Sequence, residues 1–301
     1  MTIVILCRGN CSLSECISTY MVAMAAGDLL VILINVMIYY VFSYHFPHSF
    51  LSHTPVCKFI IYMTVITFEL SVWFTVSFTF DRFVIICCPK FKRIYCTKRT
   101  AVMVMMIFST MIFTKNIPVL FAYEPELIIN NFQWGCLANL VYFSSPFGVA
   151  CSWFHSVWCI WFTFTLIILF NSLTVRQILV TSRARRALRS HNNKNQSDSE
   201  MENRRKSIIL LFTVSGSFLL LCLTANVSFV ITRMTNTTYY RADHASPAYL
   251  TTETGAMLKH LSSSTNTCIY TATQRKFREE LKKVLKYPWA LIARLSKMLQ
   301  H

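Results

Sequence analysis

Charge is scarce in this chain, and acid scarcer still. Only 14% of its 301 residues are charged, with 13 Asp and Glu in all, against 54% hydrophobic. A water-soluble domain carries about a quarter charged residues, so an ordinary soluble domain is excluded. Glycine and proline are few, at 6 and 8, and no internal repeat is present. Both absences weigh against a secondary transporter, whose repeated halves and broken helices are rich in Gly and Pro. No nucleophile–base spacing and no metal-ligand spacing is legible, which sets an enzyme aside. No cleavable leader is expected, because Met1–Leu6 is too short for the apolar core of one.

What the chain has in abundance is apolar sequence in blocks. The stretches near 20–43, 57–87, 100–121, 152–180, 207–231 and 249–270 are each read as membrane spans, which take about 20 mostly apolar residues. The last is the most polar, with Thr251, Glu253, Lys259, His260 and a Ser262–Thr265 run. Polar groups within a span face a bundle interior or a cavity, so it is kept. The expected fold class is an all-α membrane protein with six full spans. Thr2–Leu6, followed by Cys7-Arg8-Gly9, looks like the inner end of an earlier helix, most of which lies outside this sequence. Residues 1–273 are read as one bundle and 274–301 as a tail. In the tail Phe277, Leu281 and Leu285 recur every four residues, with Lys276, Arg278, Lys282 and Lys283 between them. That pattern suits an amphipathic helix on an anionic membrane surface.

The formal charge of +16 is a topology signal. Of the 29 Lys and Arg, 23 lie between Cys7 and Thr19, between Cys87 and Arg99, in 176–206, and after Gln274. The loops near 44–55, 123–150 and 232–248 hold only Arg233 and Arg241. Basic loops stay cytoplasmic, which predicts a multi-pass membrane protein with its C-terminus inside, and no nucleic-acid partner. Most of the twelve cysteines then fall in spans or inner loops, while Cys57 and Cys136 lie outside. The outward sequon Asn236-Thr237-Thr238 is a candidate glycosylation site. Asp28 is an ionisable group at bilayer depth, hence functional by default.

Four features carry a family resemblance. Cys57 and Asp81-Arg82-Phe83 are 25 residues apart from cysteine to arginine, which puts them about 37 Å apart on one helix. Ala25-Ala26-Gly27-Asp28-Leu29, Asn266-Thr267-Cys268-Ile269-Tyr270 and the amphipathic 274–281 complete the set. Together they resemble the rhodopsin-like (class A) G-protein coupled receptors: the third helix with its inner Asp-Arg-Tyr motif, the second with its mid-membrane aspartate, the seventh with Asn-Pro-x-x-Tyr, and a short eighth helix. The resemblance implies a seven-helix bundle lacking most of its first helix, and a disulfide between Cys57 and Cys136. It implies coupling of an extracellular small-molecule or peptide signal to a heterotrimeric G protein, with Asp81, Arg82, Asn266 and Tyr270 as activation residues and a second receptor copy as a further partner. It also places Asp28, Ser71, Ser263 and Asn266 around a sodium ion, the one cofactor expected; a hydrogen-bonded, ion-free Asp28 is the alternative. The phrases Ser71-Val72-Trp73-Phe74-Thr75, Tyr123-Glu124-Pro125 and Lys276-Phe277-Arg278-Glu279 are similar to sequences labelled probable G-protein coupled receptor 139-like, some of which respond to tryptophan and phenylalanine.

The chain also departs from the family pattern. Cys222 and Thr224 replace the sixth-helix Trp and Pro, Thr163 the fifth-helix proline, and Thr267 the proline of the seventh-helix motif. Arg204 stands where many members carry an acid that restrains the third-helix arginine, which predicts raised basal signalling. Thr64 occupies the position at which amine receptors place an acid, and His260 rather than Lys259 the position of the retinal-binding lysine. Both a sole amine anchor and retinal are therefore disfavoured. Candidate ligand contacts are Thr64, Phe68, His155, Arg233 and Lys259, the cations for a carboxylate and the aromatics for a ring. Each has a bland reading as a packing or snorkelling residue. A truncated, non-signalling or dominant-negative receptor fragment is the alternative function. A transporter resting on Asp28, Glu69 and Lys259 is the third.

Overall fold

The computed structural model describes residues 2–7, 15–42, 45–46, 49–188, 197–235 and 247–285. A short helix α1 (Thr2–Cys7) precedes α2, which is α-helical over Glu15–Leu30 and π-helical over Val31–Phe42. Next come α3 (Thr54–Cys87), α4 (Pro89–Tyr95) and α5 (Lys98–Lys115), the last ending in a 3-10 turn at Ile117–Phe121. After the small helix α6 (Leu140–Ser144), α7 runs from Pro146–Ser156 through a π-helical Val157–Phe162 into Thr163–Leu188. Then follow α8 (Ser197–Thr235), α9 (Pro247–Thr273) and a helix α10 over 275–285.

Among the described residues, five helices are long and apolar enough to cross a membrane: Glu15–Phe42, Thr54–Cys87, Lys98–Phe121, Pro146–Thr181 and Ile208–Ser228. The sixth expected crossing, 249–270, is helical as α9, but its polar residues keep it out of that group. Many of them turn inward: His260, Ser262, Ser263 and Asn266 are all buried.

Helix α3 is the strut of the bundle. It is sheathed over 72% of its apolar window, where no other spanning helix exceeds 33%, and it packs against α2, α5 and α7. Its start is fixed by Pro55 in the first turn, a position whose missing N–H would have no helical partner anyway. Thr97 caps α5 by accepting from the Thr100 N–H at 3.2 Å, and Ser145 caps α7 by accepting from the Gly148 N–H at 3.1 Å.

The loop between α5 and α7 contains two small antiparallel ribbons, β1 (Tyr123–Glu124) with β4 (Leu137–Ala138) and β2 (Leu127–Ile129) with β3 (Phe132–Trp134). Asn130 and Asn131 join β2 to β3 with φ of 53° and 64°. Positive φ at both central residues is what a two-residue hairpin turn demands, and Asn tolerates it best after Gly.

Helix α10 packs partly on the bundle. Phe277 is buried and edge-on to Tyr270, with ring centroids 6.0 Å apart, and Leu281 and Val284 pack on the core. The apolar stripe of this segment thus serves the bundle first, leaving Leu285 exposed. The rest of the expected tail, 286–301, lies outside the described residues.

Helices α8 and α9 lie side by side with little room between them. A Cβ added at Gly255 would stand 2.6 Å from the Ala225 Cα, whereas one at Gly216 would meet nothing within 4 Å. Because the obstacle at Gly255 is backbone, a helix must shift. Gly255→Ala is expected to destabilise the protein by about 1–3 kcal/mol, and Gly216→Ala to be neutral or stabilising by up to about 1 kcal/mol. Thermal unfolding of the two variants in detergent micelles checks this; equal midpoints would refute the close α8–α9 contact.

Candidate functional site

Contacts gather at four levels along α3. At its N-terminal end Cys57 is joined to Cys136 by a disulfide, Cα to Cα 6.2 Å. The same end holds the ribbon loop by the Gly135 N–H donating to the Ser52 carbonyl at 2.8 Å and by Thr54 Oγ1 donating to the Gly135 carbonyl at 2.9 Å. Gly135 has φ of 74°, a left-handed conformation, and a Cβ there would collide with Glu126, so the residue that seats the loop on the helix is glycine for a steric reason.

One level down lies a buried charge network that the sequence reading did not gather. Glu69 has no exposed surface. Its Oε1 accepts from Lys115 Nζ at 2.8 Å and pairs with His155 Nδ1 at 3.1 Å, while its Oε2 accepts from Asn116 Nδ2 at 2.6 Å. Lys115 also lies 5.8 Å over the Phe154 ring. Three helices therefore meet on one carboxylate: α3, the end of α5, and α7. The signal was in the sequence, since an acid inside one span and a lysine closing the next must each find a partner.

Of the candidate ligand contacts, Lys259 and Phe68 come together, with Nζ 4.3 Å above the ring. His155 does not join them; it belongs to the Glu69 network. Thr64 is occupied locally: its hydroxyl donates to the Ile60 carbonyl at 2.9 Å and its own carbonyl accepts from Asn35 Nδ2 at 3.3 Å. The side chain of Arg233 and all of Asn236 lie outside the described residues.

At mid-bundle, Asp28 is 6% exposed. Ser71 Oγ donates to its Oδ1 at 2.7 Å, and Asn266 Nδ2 to its Oδ2 at 2.7 Å, which joins α2, α3 and α9. A cavity of about 190 Å³ lies alongside, lined by Asp28, Ser263, Asn266, Tyr270 and Thr2 among others. Asp28, Ser71, Ser263 and Asn266 thus lie together beside this cavity, with Asn266 presenting its amide nitrogen, so that both carboxylate oxygens accept hydrogen bonds.

Towards the C-terminal end of α3, Asp81 and Arg82 form an ion pair of 2.7 Å, 0% and 3% exposed, with the guanidinium 5.3 Å from the Phe78 ring centroid. The four expected activation residues thus divide into two places. Asp81 and Arg82 lie here, and Asn266 and Tyr270 lie with Asp28. Tyr270 is fully buried, and its hydroxyl has no hydrogen-bond partner among the described residues.

The model of the 7 transmembrane receptor (rhodopsin family) matches residues 1–270. The chain belongs to that family. Its members are receptors, and the apolar helices and the Cys57–Cys136 disulfide accord with a multi-pass membrane receptor. No curated protein matches the chain.

Because Lys115 and Asn116 depend on Glu69, Glu69→Ala strands buried polar groups. It should destabilise this receptor by about 3–5 kcal/mol, and Lys115→Met added to it should restore part of the loss. A double-mutant cycle read by unfolding in micelles tests this; strict additivity would mean the pair is not coupled. Cys136→Ser should cost about 2–5 kcal/mol through the freed loop, read as a lower unfolding midpoint.

Proposed function

We propose that this receptor transmits an extracellular signal across the plasma membrane to a heterotrimeric G protein, with its C-terminus in the cytoplasm. The observation that carries the reading is the layout of α3. One helix holds a disulfide-pinned loop at one end and a buried Asp81–Arg82 pair at the other, with two polar clusters between them that reach α2, α5, α7 and α9. A ligand bound among the outer clusters has a physical route to the inner pair, because each cluster ties several helices to the same strut. Two helix packings differing by a few kcal/mol are enough for switching. In the signalling packing Arg82 leaves Asp81 for the G protein, and Tyr270 helps hold the open form.

The ligand we propose is an aromatic amino acid such as tryptophan or phenylalanine. Lys259 over Phe68 supplies a cation for the carboxylate beside a ring for stacking, and the 139-like phrases of the sequence point the same way. Asp28, Ser71 and Ser263 would hold a sodium ion, whose positive charge would steady the carboxylate at mid-bundle. Asn266 would then turn its amide oxygen inward.

Two measurements test the reading. In cells expressing the receptor, tryptophan or phenylalanine should activate a G-protein biosensor, and Arg82→Ala should abolish the response without loss of surface expression. An Arg82→Ala response equal to that of the unsubstituted receptor would refute the role of the arginine. Basal activity should exceed that of mock-transfected cells and fall in Arg204→Glu, which restores an acid able to restrain Arg82; basal levels equal to mock would argue against the missing restraint.

A further inference from the structure

The inner end of α3 holds a set of donors that the signalling reading does not use. Cys16, at the start of α2, directs its thiol to Asp81 Oδ1 from 3.1 Å. Cys96, between α4 and α5, directs its thiol to the same oxygen from 3.6 Å. The two sulfurs and a carboxylate oxygen all lie within 4.8 Å of one another. Cys16 and Asp81 are buried at 1% and 0% exposure, while Cys96 is half-buried, so the cluster touches solvent along one edge.

As a hydrogen-bonding arrangement this is poor. A thiol is a weak donor, and two of them spend themselves on one oxygen where a single hydroxyl would serve better. As a metal site it is well proportioned. Tetrahedral zinc has bonds of about 2.3 Å to sulfur and about 2.0 Å to oxygen, which set S···O near about 3.6 Å and S···S near about 3.8 Å. The three donors are already within about 1 Å of those separations. Charge closes as well. Two thiols give up two protons to admit one divalent cation, so the buried charge is the same before and after. The Arg82–Asp81 pair uses Oδ2 and survives a metal on Oδ1. Two sulfurs and one oxygen favour a thiophilic ion over magnesium or calcium.

We propose that Cys16, Cys96 and Asp81 form a binding site for a thiophilic divalent cation of the zinc type. The bound ion ties the start of α2 and the α4–α5 connection to Asp81. It thereby opposes the release of Arg82, a consequence that rests on the signalling reading above. The site itself does not.

The purified full chain, reduced and stripped of metal, is titrated with Co²⁺ as the probe. One equivalent should give a thiolate-to-cobalt charge-transfer band that zinc abolishes by displacement. The band should vanish in Cys16→Ser and Cys96→Ser and persist in Cys7→Ser. Should either serine variant fail to fold, the unsubstituted chain decides. At zinc ten times its dissociation constant, alkylation of Cys96 should slow about tenfold, and that of the exposed Cys7 should not change. An unchanged Cys96 rate, a cobalt band that survives Cys16→Ser, or a native Cys16–Cys96 disulfide would overturn the site. Zinc should also reduce agonist-stimulated G-protein activation, less so in Cys96→Ser. Zinc bound without that effect would keep the site and overturn its coupling to Arg82.

Discussion

A carboxylate taken fully out of water must be met by charge and hydrogen bonds, because an isolated ion in an apolar interior costs far more than folding can return. Glu69 imposes that constraint on this receptor. With no exposed surface, it gathers Lys115, Asn116 and His155 from two other segments. Those partners fix where the end of α5 and the outer half of α7 stand against α3. Asp28 does the same at mid-bundle for α2 and α9, and Asp81 at the inner end for the start of α2 and the α4–α5 connection. The apolar surface between these points packs, but packing is non-directional. The three acids set the register.

This division of labour suits a switch. Each acid accepts from several groups on different segments. Asp81 shows it most plainly, with a guanidinium on one oxygen and two thiols on the other. Beside Glu69 stands an aromatic column in which Trp73 stacks on Phe108 at 4.7 Å and meets Trp158 at 4.9 Å.

Much of the fold was legible because membrane spans announce themselves by length and apolarity alone. The helices appear where the apolar blocks stand, generally starting a few residues earlier, at capping residues such as Thr97 and Ser145 or at Pro55. The ribbon loop was missed because two- and three-residue strands leave no periodic trace; Asn130-Asn131 was the one local sign of it. The π-helical stretches of α2 and α7 likewise have no signature in residue type. Of the site, the two cysteines joined by the disulfide were legible as motif positions. The contact of His155 with Glu69 was not, because the two lie 86 residues apart on different helices.

The sequence by itself determined that this is a helical protein with spans long and apolar enough for a membrane, and which residues lie at the ends of α3; its motifs resemble the rhodopsin family, and the match over residues 1–270 shows it. Length, apolarity and spacing along one helix are sufficient for the first two, since they are properties of neighbours in the chain. Only the tertiary structure decided the partners. Glu69 meets Lys115 and His155, Asp28 meets Asn266 across 238 residues, and Cys16 meets Asp81 and Cys96. A buried charge dictates that it must be compensated, but not by which group. That choice depends on how helices cross, and the crossing follows from the packing of whole faces.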